Sequence, residues 1–336
     1  MSKRVSIKDI ADQVGVSTAL VSYVMNGLEK EKRVGADVVI RIKKAAQELN
    51  YKPNRIAQSL RTGSTKTIGL IVADIANPFF GNLARVIEDE ASKYGFTVIF
   101  GSSDEDSEKS ELLVDILLNR QVDGFIIVPA EGTEPQIKMI QNNGIPLVLA
   151  DRHFEEINSN YVVLDNFRAS YDAVSLLIKN GHQKIGIVVY KSSLFHMWER
   201  IRGYVEAMTD NHLEKEIRIE KVEYDFIQRD IRNCMSKITD GEKKVDALLF
   251  ATNALTISGM YCMKEFNIKV PEDIAIIGFD GNAAFDFFYT PLTYIEQPVD
   301  QMGMEVVRIL ITQINDPGKM EHIKLKPTLI QRQSSF

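Results

Sequence analysis

Cysteines and long apolar runs are scarce in this chain of 336 residues, and each scarcity argues against a class of protein. The two cysteines, Cys234 and Cys262, are isolated, which argues against a structural disulfide or a zinc site. No apolar run approaches the roughly 18 residues needed to span a bilayer. No apolar stretch follows residues 1–4, so we expect no secretory signal and a cytoplasmic location.

The sequence motifs of common enzymes are also missing. No G-x-G-x-x-G follows an apolar run, and neither a G-x-S-x-G motif nor a metal-type histidine pair is present. Segment 63–67 superficially resembles a phosphate loop, but it lacks the first glycine and precedes a strand pattern, so a linker is the better interpretation. The acidic run Asp104-Glu105-Asp106 is interpreted as a solvated helix start. We therefore expect no enzymatic activity, no cofactor and no metal.

The charge of the chain is distributed unevenly. Residues 1–66 hold thirteen Lys or Arg against six Asp or Glu, a net charge of about +7, whereas the whole chain carries −6. The remaining residues are therefore strongly acidic. A basic N-terminal segment on an acidic protein is typical of a nucleic-acid contact, which should depend on salt because neutralised phosphates release counterions.

The same N-terminal segment has the apolar periodicity of three short helices. Gly15 permits a tight turn after the first, and Ser17 can cap the second. The pattern predicts a helix-turn-helix, and an ordinary helical hairpin is the alternative. The expected buried positions are Ile7, Ile10, Ala11 and Val14, then Leu20, Val21 and Val24, and finally Val38, Ile42, Ala45 and Leu49.

Beyond residue 66, short apolar runs alternate with helical patterns such as 83–93 and 107–119. This alternation predicts parallel sheets with right-handed crossovers, and the number of runs favours two doubly wound subdomains with a cleft between them. Ligands of such sheets bind at the carboxyl ends of the strands. The runs are 67–72, 97–100, 124–128, 146–149, 185–189, 247–250 and 274–278.

Motifs along the whole chain resemble those of the lactose-repressor (LacI/GalR) family of bacterial transcription regulators. The first are Ile7-Lys8-Asp9-Ile10-Ala11, Gly15-Val16-Ser17, Val21-Ser22, Asn26-Gly27 and the segment 49–60. They continue with Asn77-Pro78-Phe79-Phe80, Val122-Asp123-Gly124, Gly181-His182, residues 200–204, Pro271-Glu272-Asp273-Ile274, Gly278-Phe279-Asp280 and Thr290-Pro291-Leu292-Thr293. One motif alone would be weak, but their shared order is highly specific.

The resemblance implies an all-α helix-turn-helix head plus an α/β core of periplasmic-binding-protein type. The head would span 1–50, a hinge helix and linker 51–66, and an effector-binding and dimerisation core 67–336. Within the core, the N-subdomain would comprise about 67–164 and 298–325, and the C-subdomain about 165–297 and 326–336. The chain would cross between the subdomains near Asp165, Gln297 and Lys326.

In this family, residues of the second helix read bases, and a leucine of the hinge helix wedges into the minor groove. Arg is usual where this chain has Tyr23, so we expect an altered half-site, unless Tyr23 only packs on the head. Leu60 matches the wedge on helix 54–60, with a core leucine as the alternative. The implied DNA-binding residues are Ser6, Ser17, Thr18, Ala19, Ser22, Tyr23, Asn26, Tyr51, Asn54, Arg55, Ala57 and Leu60.

The resemblance also implies an effector site in the core cleft. Its implied residues are Phe79, Phe80, His196, Arg200, Phe226, Asn253 and Asp280. A carbohydrate or uronate is the favoured ligand, because Arg200 and Asp280 suit hydroxyls and aromatic rings suit a sugar face. The alternatives are structural ion pairs for Arg200 and Asp280, and core positions for Phe79 and Phe226. Ala254 departs from the family's usual Asp.

We therefore expect a homodimeric transcriptional repressor that binds a pseudo-palindromic operator in double-stranded DNA. A small-molecule effector would control its operator affinity, and we expect no membrane partner. The absence of a C-terminal leucine heptad argues against tetramers. A ligand-binding receptor without a DNA role and a sugar-phosphate enzyme are the two rival interpretations.

Overall fold

The computed structural model describes residues 5–52, 63–239 and 244–336 of the chain. The chain divides into two compact units, Met1–Thr65 and Lys66–Phe336. The smaller unit, called the head, is helical in its described part, whereas the larger unit, called the core, alternates strands and helices. In these described ranges, no helix has both the length and the apolar character required to traverse a bilayer.

The described part of the head contains three helices: α1 (Ile7–Val14), α2 (Thr18–Met25) and α3 (Ala36–Glu48). Gly15 ends α1 in a left-handed conformation with φ 74°, which glycine adopts without steric cost. Ser17 then starts α2, because its side chain accepts a hydrogen bond of 3.2 Å from the amide of Leu20. The turn and the cap therefore fix the angle between the two helices.

The three helices share one small apolar core. Most of the predicted positions contribute to it, but Leu20 is half-exposed and lies outside the cluster, so that prediction was wrong. Helix α2 is only eight residues long, and its buried face runs through Val21 and Val24, with Leu20 at the edge of that face. The fully or nearly buried residues of this core are Ile10, Ala11, Val14, Val21, Val24, Ile42, Ala45 and Ala46.

The core contains two sheets of six strands. The strands are β1 (Thr67–Val72), β2 (Thr97–Ser102), β3 (Gly124–Ile127), β4 (Leu147–Asp151), β5 (Asn160–Leu164), β6 (Ile185–Tyr190), β7 (Arg218–Val222), β8 (Ala247–Phe250), β9 (Ala275–Phe279), β10 (Thr293–Glu296), β11 (His322–Leu325) and β12 (Thr328–Ile330). The helices are α4 (Pro78–Lys93), α5 (Ser107–Asn119), α6 (Glu134–Asn142), α7 (Asn166–Lys179), α8 (Phe195–Asp210), α9 (Ile227–Thr239), α10 (Asn253–Glu265), α11 (Ala283–Phe287) and α12 (Val299–Asn315).

The strand order confirms the predicted class of two doubly wound parallel sheets. The first sheet runs β11-β5-β4-β3-β1-β2 and the second β12-β10-β9-β8-β6-β7. Strand pairing is parallel throughout, except that β12 pairs antiparallel with β10. Each sheet with its helices is called a lobe. In both lobes the strand order reverses beside the first strand, and the carboxyl ends there are the usual ligand position.

The polypeptide passes between the two sheets at three places. It leaves the first sheet after Leu164, the last residue of β5, and enters α7 at Asn166. It returns between Glu296 and Val299, and passes to the second sheet again between Leu325 and Thr328. Three segments of the chain therefore join the lobes, and Gln297 in the second segment lines the cavity between them.

Candidate functional site

A cavity of about 150 Å³ lies between the carboxyl ends of the two sheets. Its walls come from the loops that follow β1 to β4 in the first lobe and β6 to β10 in the second. A cavity of this volume is large enough to hold one small molecule.

Arg200 on α8 is the main cation of the second lobe in this cavity. Its side chain is buried, with Nε donating to Asn166 Oδ1 at 2.8 Å and Nη1 donating to the carbonyl of Ala251 at 2.5 Å. The guanidinium lies 3.7 Å from the centroid of the Phe279 ring. Burial lowers the pKa of Arg200 to about 10, so the side chain stays charged at neutral pH and is held rigidly at the cavity wall.

Asp280 follows β9 and faces Arg200 across the second lobe. Its Oδ1 accepts a hydrogen bond of 2.8 Å from Gln297 Nε2, and its backbone carbonyl accepts one of 2.7 Å from Asn253 Nδ2. Burial raises the pKa of Asp280 to about 6, although the charge of Arg200 opposes this shift. A carboxylate with so little solvation is a strong acceptor for ligand hydroxyls.

The first lobe contributes a second group of buried charges at the end of β4. Arg152 donates from Nη1 and Nη2 to the two carboxylate oxygens of Glu105 at 2.7 and 2.6 Å. Its Nε lies 3.5 Å from Asp151 Oδ2. Burial raises the pKa of Asp151, and the nearby Arg152 and Arg200 counteract that shift. The pair between Glu105 and Arg152 is thus bidentate and largely desolvated.

Four buried polar atoms at the cavity have no hydrogen-bond partner among the described residues. They are Asp151 Oδ1, Arg152 Nε, His196 Nδ1 and Gln297 Oε1. Burial, followed by the charges of Arg152 and Arg200, holds the pKa of His196 well below its usual value, so its ring is neutral. Because unsatisfied buried polar atoms are costly, these atoms are available to bind a polar ligand.

Aromatic rings complete the cavity wall. Asn77 caps α4 by accepting from the amide of Phe79, which brings Phe79 and Phe80 into the first turn of that helix. Their rings meet edge to face at 5.0 Å. Tyr190 and Tyr224 face them from the second lobe. Such rings can cover the apolar face of a small ring-shaped ligand.

The cavity contains five of the seven predicted effector residues: Phe79, Phe80, His196, Arg200 and Asp280. Asn253 is buried behind them and holds the backbone of Asp280. The prediction for Phe226 was wrong, because this residue is 51% exposed and stacks on Arg229 with a ring-to-guanidinium distance of 4.1 Å. Tyr224, two residues earlier in the same short turn, lies in the wall instead.

Sequence reasoning missed Glu105, Asp151, Arg152 and Gln297. The interpretation of the acidic run as solvated is wrong for Glu105, which turns inward to Arg152, while Asp106 does cap α5. For Asp151 and Arg152 the sequence did contain a signal. Both directly follow an apolar run, as Asp280 does, and such strand ends are the usual ligand position.

Three acidic cavity residues have a backbone conformation that is rare for side chains other than glycine. The φ angles are 58° at Glu105, 63° at Asp151 and 59° at Asp280. Such conformations cost about 1–3 kcal/mol and persist where the surrounding structure enforces them, often at functional sites. They aim these carboxylates from the strand ends into the cleft.

Hydrogen bonds between the lobes close the cleft on both sides of the cavity. Tyr224 of the second lobe donates to Asp74 Oδ2 of the first at 2.9 Å. Ser192 and Ser193 of the second lobe donate to the carboxylate of Glu131 in the first, at 3.2 and 2.7 Å. These two contacts, called the clasps, hold the lobes in a closed arrangement.

In the head, the start of α2 offers exposed side chains. Thr18 and Ala19 are exposed, and Tyr23 one turn later is half-buried without belonging to the head core. The Tyr23 ring lies 6.0 Å from Lys32 Nζ. The first turn of a second helix in this motif is the part that reaches base edges.

The other predicted DNA-binding residues of the described head have structural partners as well. Ser6 caps α1, and its hydroxyl donates to Asp9 Oδ2 at 2.7 Å. Asn26 Nδ2 donates to the carbonyl of Ser22 at 2.6 Å. Tyr51 packs against the head core. The predicted hinge residues Asn54, Arg55, Ala57 and Leu60 lie outside the described residues.

Comparison with known proteins agrees with this architecture. Residues 6–54 match the lacI family of bacterial regulatory proteins, and residues 174–335 match a periplasmic binding protein-like domain. The HTH-type transcriptional repressor PurR of Pasteurella multocida (strain Pm70) is 30% identical over 332 residues, which cover 98% of both chains.

Two solved structures resemble the chain. A LacI family transcriptional regulator from Enterococcus faecium with bound ribose is 28% identical, with a TM-score of 0.71 over 80% of this chain and 98% of that one. The lac repressor dimer bound to operator and an anti-inducer is 22% identical, with a TM-score of 0.86 over 99% of both chains, and shows the shared fold.

A helical head with an exposed recognition helix and a two-lobed core with a polar cavity define a ligand-controlled DNA-binding protein. The chain belongs to the lacI family of bacterial regulatory proteins, as its motifs indicated. It is a DNA-binding transcriptional repressor whose operator affinity depends on a ligand.

Proposed function

We propose that the effector of this repressor is a monosaccharide or a similar sugar derivative bound in the cavity. The observation that carries the proposal is the pairing of the desolvated Asp280 carboxylate and Arg200 guanidinium with the Phe79 and Phe80 rings. The charged groups match hydroxyls, and the rings match an apolar sugar face. The small volume of the cavity favours one sugar ring, and the similar regulator with bound ribose supports this class.

Each cavity residue has a distinct proposed role. Arg200 donates to ligand oxygens, Asp280 accepts from ligand hydroxyls, and His196 offers its unpartnered Nδ1. Phe79 and Phe80 cover the ring, whereas Asn253 acts from behind by positioning Asp280. These groups come from both lobes, so a bound sugar would connect the lobes and favour the closed arrangement.

For the head, we propose base contacts from Thr18, Ala19 and Tyr23. The exposure of the first two and the position of Tyr23 outside the head core support this role. The phenol of Tyr23 donates one hydrogen bond or packs on a thymine methyl, unlike the bidentate pairing of Arg with guanine. Three further groups of DNA contacts rest on the family resemblance. They are phosphate contacts from Ser6, Ser17, Ser22 and Asn26, further contacts from Tyr51, Asn54, Arg55 and Ala57, and a minor-groove wedge from Leu60.

We further propose that the repressor acts in the cytoplasm as a homodimer on a pseudo-palindromic operator. Leu112 and Ile116, one turn apart on α5, are 59% and 42% exposed, and Tyr261 and Phe287 of the second lobe are 68% and 88% exposed. Leu112 and Ile116 lie on the same face of α5, and neighbouring exposed apolar side chains favour a protein interface.

We also propose the domain boundaries that the family resemblance implies. Residues 1–50 form the head, 51–66 the hinge and linker, and 67–336 the core, and the chain crosses between the lobes near Asp165, Gln297 and Lys326.

The clasp between Tyr224 and Asp74 should contribute to effector affinity. Tyr224→Phe removes only the hydroxyl that joins the lobes, so we expect affinity to fall about twofold to tenfold, as for one net hydrogen bond. Isothermal titration calorimetry with the effector measures this change. Tyr171→Phe is the matched control, because it removes a tyrosine-to-aspartate bond of 2.8 Å within the second lobe. Equal losses in both variants would contradict a role of the clasp in closure.

A thermal-shift screen of monosaccharides, uronates and nucleosides on the full chain tests the proposed effector class. Ligands that bind the folded state stabilise it by mass action, so a monosaccharide should raise the melting temperature of the core. The operator sequence is identified by selecting the DNA that the protein binds from a random pool. A gel-shift titration then shows whether the same sugar changes operator affinity. Stabilisation by nucleosides alone would contradict the sugar assignment.

A further inference from the structure

The effector cavity has more acidic than basic side chains. Its lining holds five carboxylates, Asp74, Glu105, Glu131, Asp151 and Asp280, against the three cations Lys191, Arg152 and Arg200. Lys191 pairs with Glu223 at 2.7 Å, and Arg152 is bound to Glu105. Among the described residues, Arg200 is the one lining cation without a salt bridge to a carboxylate. Its Nε and Nη1 donate to Asn166 and to the carbonyl of Ala251, and its charge interacts with the nearby Asp280 and Asp151.

Arg152 would be the natural partner for an anionic ligand group, because it is buried in the first lobe and carries a planar set of donors. Glu105 occupies both of its terminal nitrogens at 2.6 and 2.7 Å. Its Nη1 also lies 3.4 Å from the carbonyl of Pro129, and its Nε lies near Asp151. Arg152 therefore retains only weak capacity to donate hydrogen bonds. It can still donate to a ligand hydroxyl, but Glu105 compensates its positive charge.

The backbone around Glu105 holds this side chain in place. Its amide donates to the carbonyl of Ala73 at 2.9 Å, and the neighbouring Ser103 donates from its amide to the carbonyl of Val72 at 2.9 Å. The loop after β2 is thereby fastened to the loop after β1. Glu105 is thus a preset element of the first lobe that does not need a ligand to order it.

We propose that Glu105 sets the charge selectivity of the effector cavity. By pairing with Arg152, it keeps this guanidinium from binding a phosphate or carboxylate, so the cavity accepts uncharged sugars and rejects their phosphorylated or uronate forms. This inference rests on the proposed effector site, and it narrows the ligand from sugars in general to neutral ones.

The test uses inorganic phosphate as a probe on the full chain. In Glu105→Gln the amide cannot accept from both nitrogens of Arg152, so phosphate affinity should rise at least about tenfold over that of the unmodified protein, equal to ~1.4 kcal/mol. Thermal shift and isothermal titration calorimetry, at constant ionic strength set with chloride, measure the gain. The gain must vanish in the double variant Glu105→Gln/Arg152→Gln, because Arg152 is the proposed anion ligand.

Asp104→Asn is the matched control, since Asp104 also has positive φ and loses one charge, but its partners are Ser102 and Lys109 on the surface. It should leave phosphate affinity unchanged. Glu105→Asp keeps the charge but shortens the side chain, and it provides a second folded variant with a smaller expected gain. No gain in either Glu105 variant, or a gain that survives the loss of Arg152, would overturn the proposal.

A paired titration separates this proposal from the proposed function. D-Glucose and D-glucose 6-phosphate share the pyranose ring and differ only by the phosphate, and Glu105→Gln should shift their affinity ratio about tenfold toward the phosphate. If the unmodified protein prefers the phosphorylated sugar, the proposal that the cavity selects uncharged sugars is wrong. If neither sugar binds while phosphate behaves as expected, the sugar assignment fails and the role of Glu105 stands.

Discussion

The Asp280→Asn variant is expected to have a more stable unliganded core at neutral pH and a much weaker affinity for the effector. The Asp280 carboxyl is buried, and its pKa of about 6 lies above the ordinary value of 3.8. The folded state therefore binds more protons than the unfolded state between these values. The stability from the protonated carboxyl is fully present below about pH 3.8 and is lost as the pH rises through about 6.

At neutral pH the charged Asp280 thus destabilises the empty core. Asparagine keeps the acceptor for Gln297 and removes the charge, so we expect a gain on the order of 1–3 kcal/mol, from about 1.4 kcal/mol per pKa unit. Calorimetric unfolding between acidic and neutral pH should show this gain only near neutrality. Asp316→Asn, on an exposed carboxylate, is the control that should show no gain.

Effector binding should change in the opposite direction. A hydrogen bond to a charged acceptor is worth about 1.5–3 kcal/mol, so its loss weakens effector affinity about tenfold to a hundredfold. In the unmodified protein the affinity should also fall as the pH drops through about 6, while Asp280→Asn should lack this dependence. A variant that is less stable at neutral pH and binds the effector normally would contradict the assigned role.

The second large effect concerns the head. Ile42 is fully buried between the three short helices, and its replacement by alanine should cost about 2–5 kcal/mol. A core of this size rarely supplies more than about 3–5 kcal/mol. We therefore expect Ile42→Ala to unfold the head and to weaken operator binding more than about a hundredfold, by mass action on the folded fraction.

The matched control is Ile40→Ala, the same substitution on the same helix at a side chain that is 65% exposed. It should retain operator binding within about twofold, since exposed substitutions usually change stability by less than about 0.5 kcal/mol. Fluorescence anisotropy measures operator affinity, and calorimetry measures effector affinity, which neither variant should change. If Ile42→Ala bound operator normally, the assignment of DNA binding to the folded head would be wrong.

The sequence predicted the elements whose signal is local. Buried central strands such as β1 and β9 are continuous apolar runs, and Ser17 and Gly15 mark the ends of their helices chemically. The edge strand β7 reads Arg-Ile-Glu-Lys-Val and escaped prediction, because a half-exposed strand carries charged residues. The short strand β12 has only three residues, too few for a periodic pattern.

The site was predictable where a residue directly follows a strand. The family resemblance predicted Asp280, which follows β9, and Arg200, which lies within α8. The strand-end rule alone would have added Asp151 and Arg152. Glu105 could not be found this way, because its inward direction depends on a positive φ and on a partner 47 residues away. The choice between Tyr224 and Phe226 likewise depends on the direction of a short turn, which periodicity does not encode.

In the proposed mechanism, control of the repressor follows from differential affinity for two arrangements of the lobes. The effector would contact both lobes only when they are closed, so it would favour the closed arrangement to the extent that it binds that arrangement more tightly. By linkage, the operator-bound state and the effector-bound state must influence each other equally. We expect the clasps and the charged cavity residues to set the energy of closure, because they join or face the two lobes.

The most direct test is operator affinity measured by fluorescence anisotropy, with and without a monosaccharide that calorimetry shows to saturate the protein. We predict a change of at least about fivefold in the unmodified protein, the lower range of typical coupling energies. At a sugar concentration of about ten times the Kd of the unmodified protein, Asp280→Asn should show a smaller change, because it binds the sugar about tenfold to a hundredfold more weakly. An operator affinity that stays constant at saturating sugar, or that changes equally in Asp280→Asn, would contradict control through this cavity.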